Sequence, residues 1–228
     1  MSSGSEGVRV WWLFDVDDVL YDATLLKRMA RENAVVAMIE AGLPADFEVL
    51  LRKVNKVVEE RGEDYTRHFD DAISALGLRV DARVIAAGVI AYHDTKRAFL
   101  RPLPKVFKTL LTLRDRGYGL GLSSPGSPVK EWEKVIRLGL HHFFERAWVG
   151  QPDPERHRSA LEELGVNPAN CIYVTARPEG VDSASEFGMK TVRVRRGKSA
   201  SKDSATAPDI EVVSVWEIAG RAESLLEG

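Results

Sequence analysis

The chain has one cysteine, Cys171, and one glutamine, Gln151. A lone cysteine excludes a disulfide framework and a thiolate metal cluster, and its place in Cys171-Ile172-Tyr173-Val174 marks it as a buried small hydrophobe. No apolar run approaches the roughly 18 residues that span a bilayer. The opening Met1-Ser2-Ser3-Gly4-Ser5 lacks the basic and apolar regions of a signal peptide, so a cytoplasmic protein with no membrane partner is expected. An excess of positive charge is also missing: 32 Lys and Arg stand against 34 Asp and Glu, and no basic patch is interleaved with aromatics. A nucleic-acid partner is therefore not expected. The shortage of Gln and Asn beside abundant Arg and Glu is a bias that accompanies adaptation to high temperature in many proteins.

What is present is an ordinary globular composition, 44% hydrophobic and 29% charged over 228 residues. That length suits one domain or a domain carrying a sizeable insertion. Val8 to Phe14 is a β-branched and aromatic run that stops at acidic residues, as a buried strand entering a site does. From about Ala23 the texture turns helical. Phe47, Leu50, Leu51, Val54, Val57 and Val58 recur at three and four residues, as do Tyr65, Phe69, Ala72, Ile73 and Leu76, and a further stripe carries Ile85, Gly88, Val89 and Tyr92. Residues 22–96 thus read as a cap of about four helices inserted into a core formed by residues 1–21 and 97–228.

After Arg101-Pro102-Leu103-Pro104, strands and helices alternate: helix 105–116, strand 118–123, helix 128–138, strand 147–149, helix 153–164, strand 171–175, helix 180–187 and strand 190–194. This βαβ grammar predicts an α/β fold, a Rossmann-like parallel sheet core with an inserted four-helix cap. Ligands of such sheets bind at the carboxyl ends of the strands, so each loop after a strand is a candidate for chemistry. Gly197 to Pro208 reads as a surface loop, with Arg195, Arg196 and Lys198 solvated. Trp11 and Trp12 read as core, Trp132 and Trp216 as packing helices onto the sheet, and His68, His93, His141 and His142 as packing or surface histidines.

Asp15 and Asp17 lie two apart beyond the first strand, so strand geometry leans both carboxylates the same way. Such a pair suits covalent phosphoryl transfer, one carboxylate attacking phosphorus while the other handles the proton. An Asp-x-Asp alone is weak evidence, since a solvated acidic turn is the commoner cause. Here the surrounding Phe14-Asp15-Val16-Asp17-Asp18-Val19-Leu20-Tyr21-Asp22 resembles the first motif of the haloacid dehalogenase superfamily. The likeness continues through the cap, Pro128-Val129-Lys130-Glu131-Trp132-Glu133-Lys134, Pro152-Asp153-Pro154 and Phe187-Gly188-Met189-Lys190-Thr191-Val192. It is similar above all to archaeal helical-cap members, glyceraldehyde 3-phosphate phosphatases among them. True dehalogenases of the superfamily lack the second aspartate, so Asp17 favours a phosphatase.

The resemblance implies Asp15 as nucleophile and magnesium ligand, and Asp17 as acid/base that also offers its carbonyl to Mg²⁺. It implies Ser124 as the hydroxyl that holds phosphate, although Pro125 has no N–H to add. Gln151 occupies the place of the third motif's lysine, with Lys130 and Arg177 as candidates to deliver a cation instead. In the fourth motif Ala176 stands where a metal-binding aspartate belongs, leaving Glu179 and Asp182 as candidates if the loop is rebuilt. The expected function is phosphohydrolysis of a small phosphorylated metabolite through an aspartyl-phosphate. The alternative is an inactive binding or interaction protein of the same fold, suggested by the altered motifs.

Overall fold

A computed structural model describes residues 9–227, the side chains of Ser224, Leu226 and Glu227 excepted. Val8 and the opening Met1 to Ser5 lie outside the described residues. The chain divides into two units: one formed by the described residues up to Thr24 together with those from Arg101 onward, the other by Leu25–Leu100.

The first unit is built on a six-stranded parallel sheet of order β3-β2-β1-β4-β5-β6. The strands are β1 Trp11–Phe14, β2 Gly119–Ser124, β3 Arg146–Val149, β4 Cys171–Thr175, β5 Lys190–Val194 and β6 Ile210–Val212. Side chains alternate across the pleat. Trp11 and Leu13 therefore face one side, in a cluster with Trp148, Cys171 and Tyr173, while Trp12 stacks with Phe14 on the other. Fully burying side chains of this kind contributes about 1.5–3 kcal/mol each. Glycine at 119 permits that packing, since a Cβ there would lie 2.4 Å from the Trp11 ring.

Between strands run α5 Val106–Asp115, α6 Pro128–Arg137, α7 Asp153–Leu164 and α8 Pro178–Glu186, with α9 Ile218–Glu227 at the end. Proline sits in the first turns of α6, α7 and α8, where its missing N–H costs nothing. β2 runs one residue later than its sequence pattern, which puts Ser124 in the strand's last position. β6 was not expected; three edge residues give too short a pattern to read.

Two expectations are corrected here. Trp216 is 46% exposed with the Lys105 ammonium 4.3 Å over its ring, and packs no helix onto the sheet. Arg195 and Arg196 are not simply solvated: Arg196 pairs with Asp22 at 2.9 Å, and Arg195 with Asp203 at 2.7 Å and with Glu211.

The second unit is helical. The expected stripes correspond to α2 Phe47–Arg61, α3 His68–Ser74 and α4 Ala82–Phe99, preceded by α1 Ala23–Glu40, which begins in the first unit. Val35, Met38, Leu50, Val54, Ala72, Ile73 and Val84 form its core. Asp46 caps α2 by accepting from Val49 N at 3.0 Å, and Asp81 caps α4 through Arg83 N at 2.8 Å. The helix read as ending at 96 continues to Phe99. Among the described residues no helix is long and apolar enough to cross a membrane.

Candidate active site

The carboxyl ends of β1, β2 and β4 are adjacent in the sheet, and the loops that follow them carry the candidate residues. Asp15 directly follows β1 and is held in the ladder by donating its N–H to Val174 O at 2.9 Å. Its side chain is buried, 2% exposed, and its two oxygens differ. Oδ2 accepts from Thr175 Oγ1 at 3.0 Å, Arg177 Nε at 2.9 Å and the Tyr173 hydroxyl at 3.4 Å. Oδ1 accepts from Val16 N at 2.8 Å.

Arg177 stands at the N-cap position of α8 and turns the rest of its guanidinium onto Asp153 at the start of α7. Nη1 and Nη2 donate to the two carboxylate oxygens at 2.8 Å each. This bidentate fork is the strong form of an Arg–carboxylate contact. Asp153 also pairs with the fully buried Arg156, which reaches Ser123 Oγ at 2.8 Å, Gln151 O at 2.9 Å and the Tyr173 hydroxyl at 3.1 Å. Two carboxylates and two guanidiniums thus balance in one buried network. Burial would raise the Asp153 pKa, but the bonds and charge of Arg177 outweigh it and hold the carboxyl at about 2. Burial and the Asp15 charge push the Tyr173 phenol up to about 12, so it remains a donor.

Asp17 has different company. Its Oδ1 accepts from the Tyr21 hydroxyl at 2.8 Å and from Lys134 Nζ at 2.6 Å. Lys134, on α6, also contacts Glu131 Oε1 at 2.6 Å, and Glu131 Oε2 accepts from Ser124 Oγ at 3.0 Å. Burial works against the lysine's charge, yet Asp17 and Glu131 raise its pKa above the ordinary value. Burial raises that of Glu131, against the opposing pull of Lys134. Glycine at 126 makes room for this carboxylate: a Cβ there would lie 2.0 Å from Glu131 Oε1. Asp18, in the left-handed region at φ 60°, accepts from Thr24 N at 2.9 Å and Thr24 Oγ1 at 2.7 Å, fixing the turn that carries Asp17.

Of the residues proposed from sequence, Asp15 and Arg177 meet directly, while Asp17 and Ser124 join through Lys134 and Glu131. Others go elsewhere. Lys134, one turn on from the exposed Lys130 of α6, reaches Asp17. The Gln151 side chain is exposed, 3.4 Å from Ser159 Oγ, and only its backbone carbonyl enters the network. Asp182 turns to the Thr206 N–H at 2.7 Å, and Glu179 is 67% exposed, its nearest guanidinium atom 4.0 Å away. Sequence reading missed Asp153, Arg156, Tyr173, Thr175, Glu131 and Lys134. It also missed His157, fully buried against the Tyr173 ring at 4.7 Å, whose pKa burial and Arg156 lower to about 4.

The expected Mg²⁺ does not fit this donor set. A magnesium ion takes six oxygens in near-octahedral array, usually including one or two carboxylates. Here three N–H or O–H donors already occupy Asp15 Oδ2, and a lysine and a tyrosine occupy Asp17 Oδ1. Ala176 presents a buried methyl, Glu179 is largely exposed, and Asp182 accepts from the Thr206 N–H. Among the described residues no group of three His, Cys, Asp or Glu is arranged to hold a metal ion.

Residues 12–188 match the family model of haloacid dehalogenase-like hydrolases. The glyceraldehyde 3-phosphate phosphatase of Methanopyrus kandleri is 44% identical over 212 residues, 88% of this chain and 91% of that one. That of Methanocaldococcus jannaschii is 37% identical over 93% of this chain and 96% of its own. Among solved structures, a haloacid dehalogenase-like hydrolase from Xanthomonas campestris superposes with TM-score 0.72 at 18% identity, covering 98% of this chain and 94% of its own. L-2-haloacid dehalogenase from Xanthobacter autotrophicus superposes with TM-score 0.61 at 20% identity, covering 95% and 99%. These two share the fold. The chain belongs to the haloacid dehalogenase-like hydrolases. The inactive alternative finds no support among relatives named as phosphatases.

Proposed function

We propose that the protein is a phosphoric monoester hydrolase acting on a small phosphorylated metabolite, with Asp15 as nucleophile. Glyceraldehyde 3-phosphate, or a triose phosphate like it, is the substrate the named relatives recommend. The observation that carries this reading is the asymmetry of Asp15. Oδ2 is clamped by three side-chain donors while Oδ1 meets one backbone N–H, so the carboxylate is oriented with one oxygen kept for attack.

In the first step the Asp15 Oδ1 lone pair attacks phosphorus and an O–P bond forms. The ester P–O bond breaks, its electron pair leaves with the alcohol oxygen, and Asp17 supplies the proton to that oxygen. In the second step Asp17 takes a proton from water, and the water oxygen attacks phosphorus. The acyl P–O bond breaks back onto Asp15 and inorganic phosphate departs. Lys134 Nζ supplies the positive charge that an incoming phosphate requires, and Ser124 Oγ supplies a donor by exchanging its bond to Glu131 for one to phosphate.

The test is release of phosphate from 4-nitrophenyl phosphate and from glyceraldehyde 3-phosphate. Asp15→Asn should lower turnover by about a thousandfold or more in a protein that still folds, as read by circular dichroism. Undiminished turnover in that variant overturns the assignment.

A further inference from the structure

The residue after Ala176 gives the Asp15 carboxylate its positive partner. Arg177 Nε lies 2.9 Å from Asp15 Oδ2, and its two other nitrogens are locked onto Asp153 at 2.8 Å each. Asp153 is anchored in turn by Arg156, so the guanidinium has no freedom to drift toward solvent. Its side chain is 25% exposed, and its charge is permanent. We propose that Arg177 takes the electrostatic place of a divalent cation, so that phosphoryl transfer at Asp15 runs without a metal ion. This rests on the reading of Asp15 as the nucleophile.

Charge bookkeeping favours it. Asp15 and Asp153 are matched by Arg156 and Arg177, and a dication on Asp15 Oδ2 would stand against the Arg177 guanidinium, whose Nε is 2.9 Å from that oxygen. A fixed guanidinium also stabilises developing negative charge without reorganising during the reaction. It lies on the oxygen that does not attack, so it serves as a positioning residue, orienting Oδ1 and offsetting the carboxylate's charge as phosphate approaches. The donor set that fails to fit magnesium is then complete with a protein cation.

The experiment uses the full chain, stripped exhaustively with EDTA, with hydrolysis of 4-nitrophenyl phosphate and thermal melting followed at zero and 10 mM Mg²⁺. The expected result is turnover unchanged within about twofold and a melting temperature unchanged within about 1 °C. A tenfold loss on stripping that Mg²⁺ restores, or a clear rise in melting temperature with Mg²⁺, overturns the inference.

The variant Arg177→Ala should lose about a hundredfold in turnover and recover part of it with added guanidinium ion at sub-denaturing concentration. The double variant Ala176→Asp, Arg177→Ala should gain a Mg²⁺-dependent rise in melting temperature that the wild type lacks. Failure of guanidinium to restore any turnover to a folded Arg177→Ala protein counts against the inference. If either variant fails to fold, the wild-type arms decide. If no hydrolysis is seen in any arm, the phosphatase reading falls, while the Mg²⁺ melting arm still judges the occupancy of the cation position.

Discussion

Asp15 and Asp17 leave the same strand two residues apart, yet the protein treats their carboxylates in opposite ways. Asp15 belongs to a closed network in which two acids meet two guanidiniums through planar, directional contacts. Asp17 shares Lys134 with Glu131, and its carboxylate is more exposed than that of Asp15. A nucleophile must keep one geometry and one charge; an acid/base must change its charge twice per turnover. The first demand suits rigid forks, and the second suits a point-charge ammonium on a flexible stem.

The contrast can be broken from either side. Asp153→Ala would leave two guanidiniums against one acid and should lower the free energy of unfolding by about 3–5 kcal/mol, read by urea denaturation. Because the Asp153 carboxyl sits at about 2 against an ordinary 3.8, its contribution is complete above about pH 4 and disappears as pH falls through 2. The variant should lack that acid limb.

His157→Phe comes next. A histidine held neutral at about 4, against an ordinary 6.5, binds its proton more readily when unfolded, so stability falls by about 3 kcal/mol as pH drops from 6.5 to 4. Phenylalanine keeps a ring against Tyr173 and should flatten that stretch in melts taken across it.

On the looser side, Lys134→Met should cut turnover about 10- to 100-fold and change unfolding free energy by less than about 2 kcal/mol. A larger stability loss there would erase the distinction between the two clusters. The smallest effect is expected from Asp182→Ala, within about 0.5 kcal/mol and with turnover unchanged, since its carboxylate holds only the Thr206 N–H. A loss of activity would return Asp182 to the site.

The sheet and the Asp15–Asp17 pair were legible because both are written in short stretches of adjacent residues: alternation, βαβ spacing and one motif. The partners were not. Arg177 and Asp15 are 162 positions apart, and Lys134 and Asp17 are 117 apart. The first pair meets because β1 pairs with β4, the second because β1 also pairs with β2, the strand that α6 follows. Lys134 was not singled out because pattern alone does not tell which turn of α6 ends beside the strand. The buried stripe of Glu131 and Val135 was the available signal, since a glutamate in an inward position needs a cation one turn away. His157 left no such trace, because nothing in sequence distinguishes a histidine packed on a tyrosine from one facing water.

Arg156 touches a residue of β2, the backbone after β3 and a residue of β4 from its seat on α7. The bonds to Ser123 and Tyr173 cannot form until α7 has docked against β2 and β4. The active-site network is therefore a product of the final stage of folding, built from contacts of high sequence separation that reward the chain only after the loops between them have closed. Substitutions in it should mainly speed unfolding and leave the folding rate nearly unchanged.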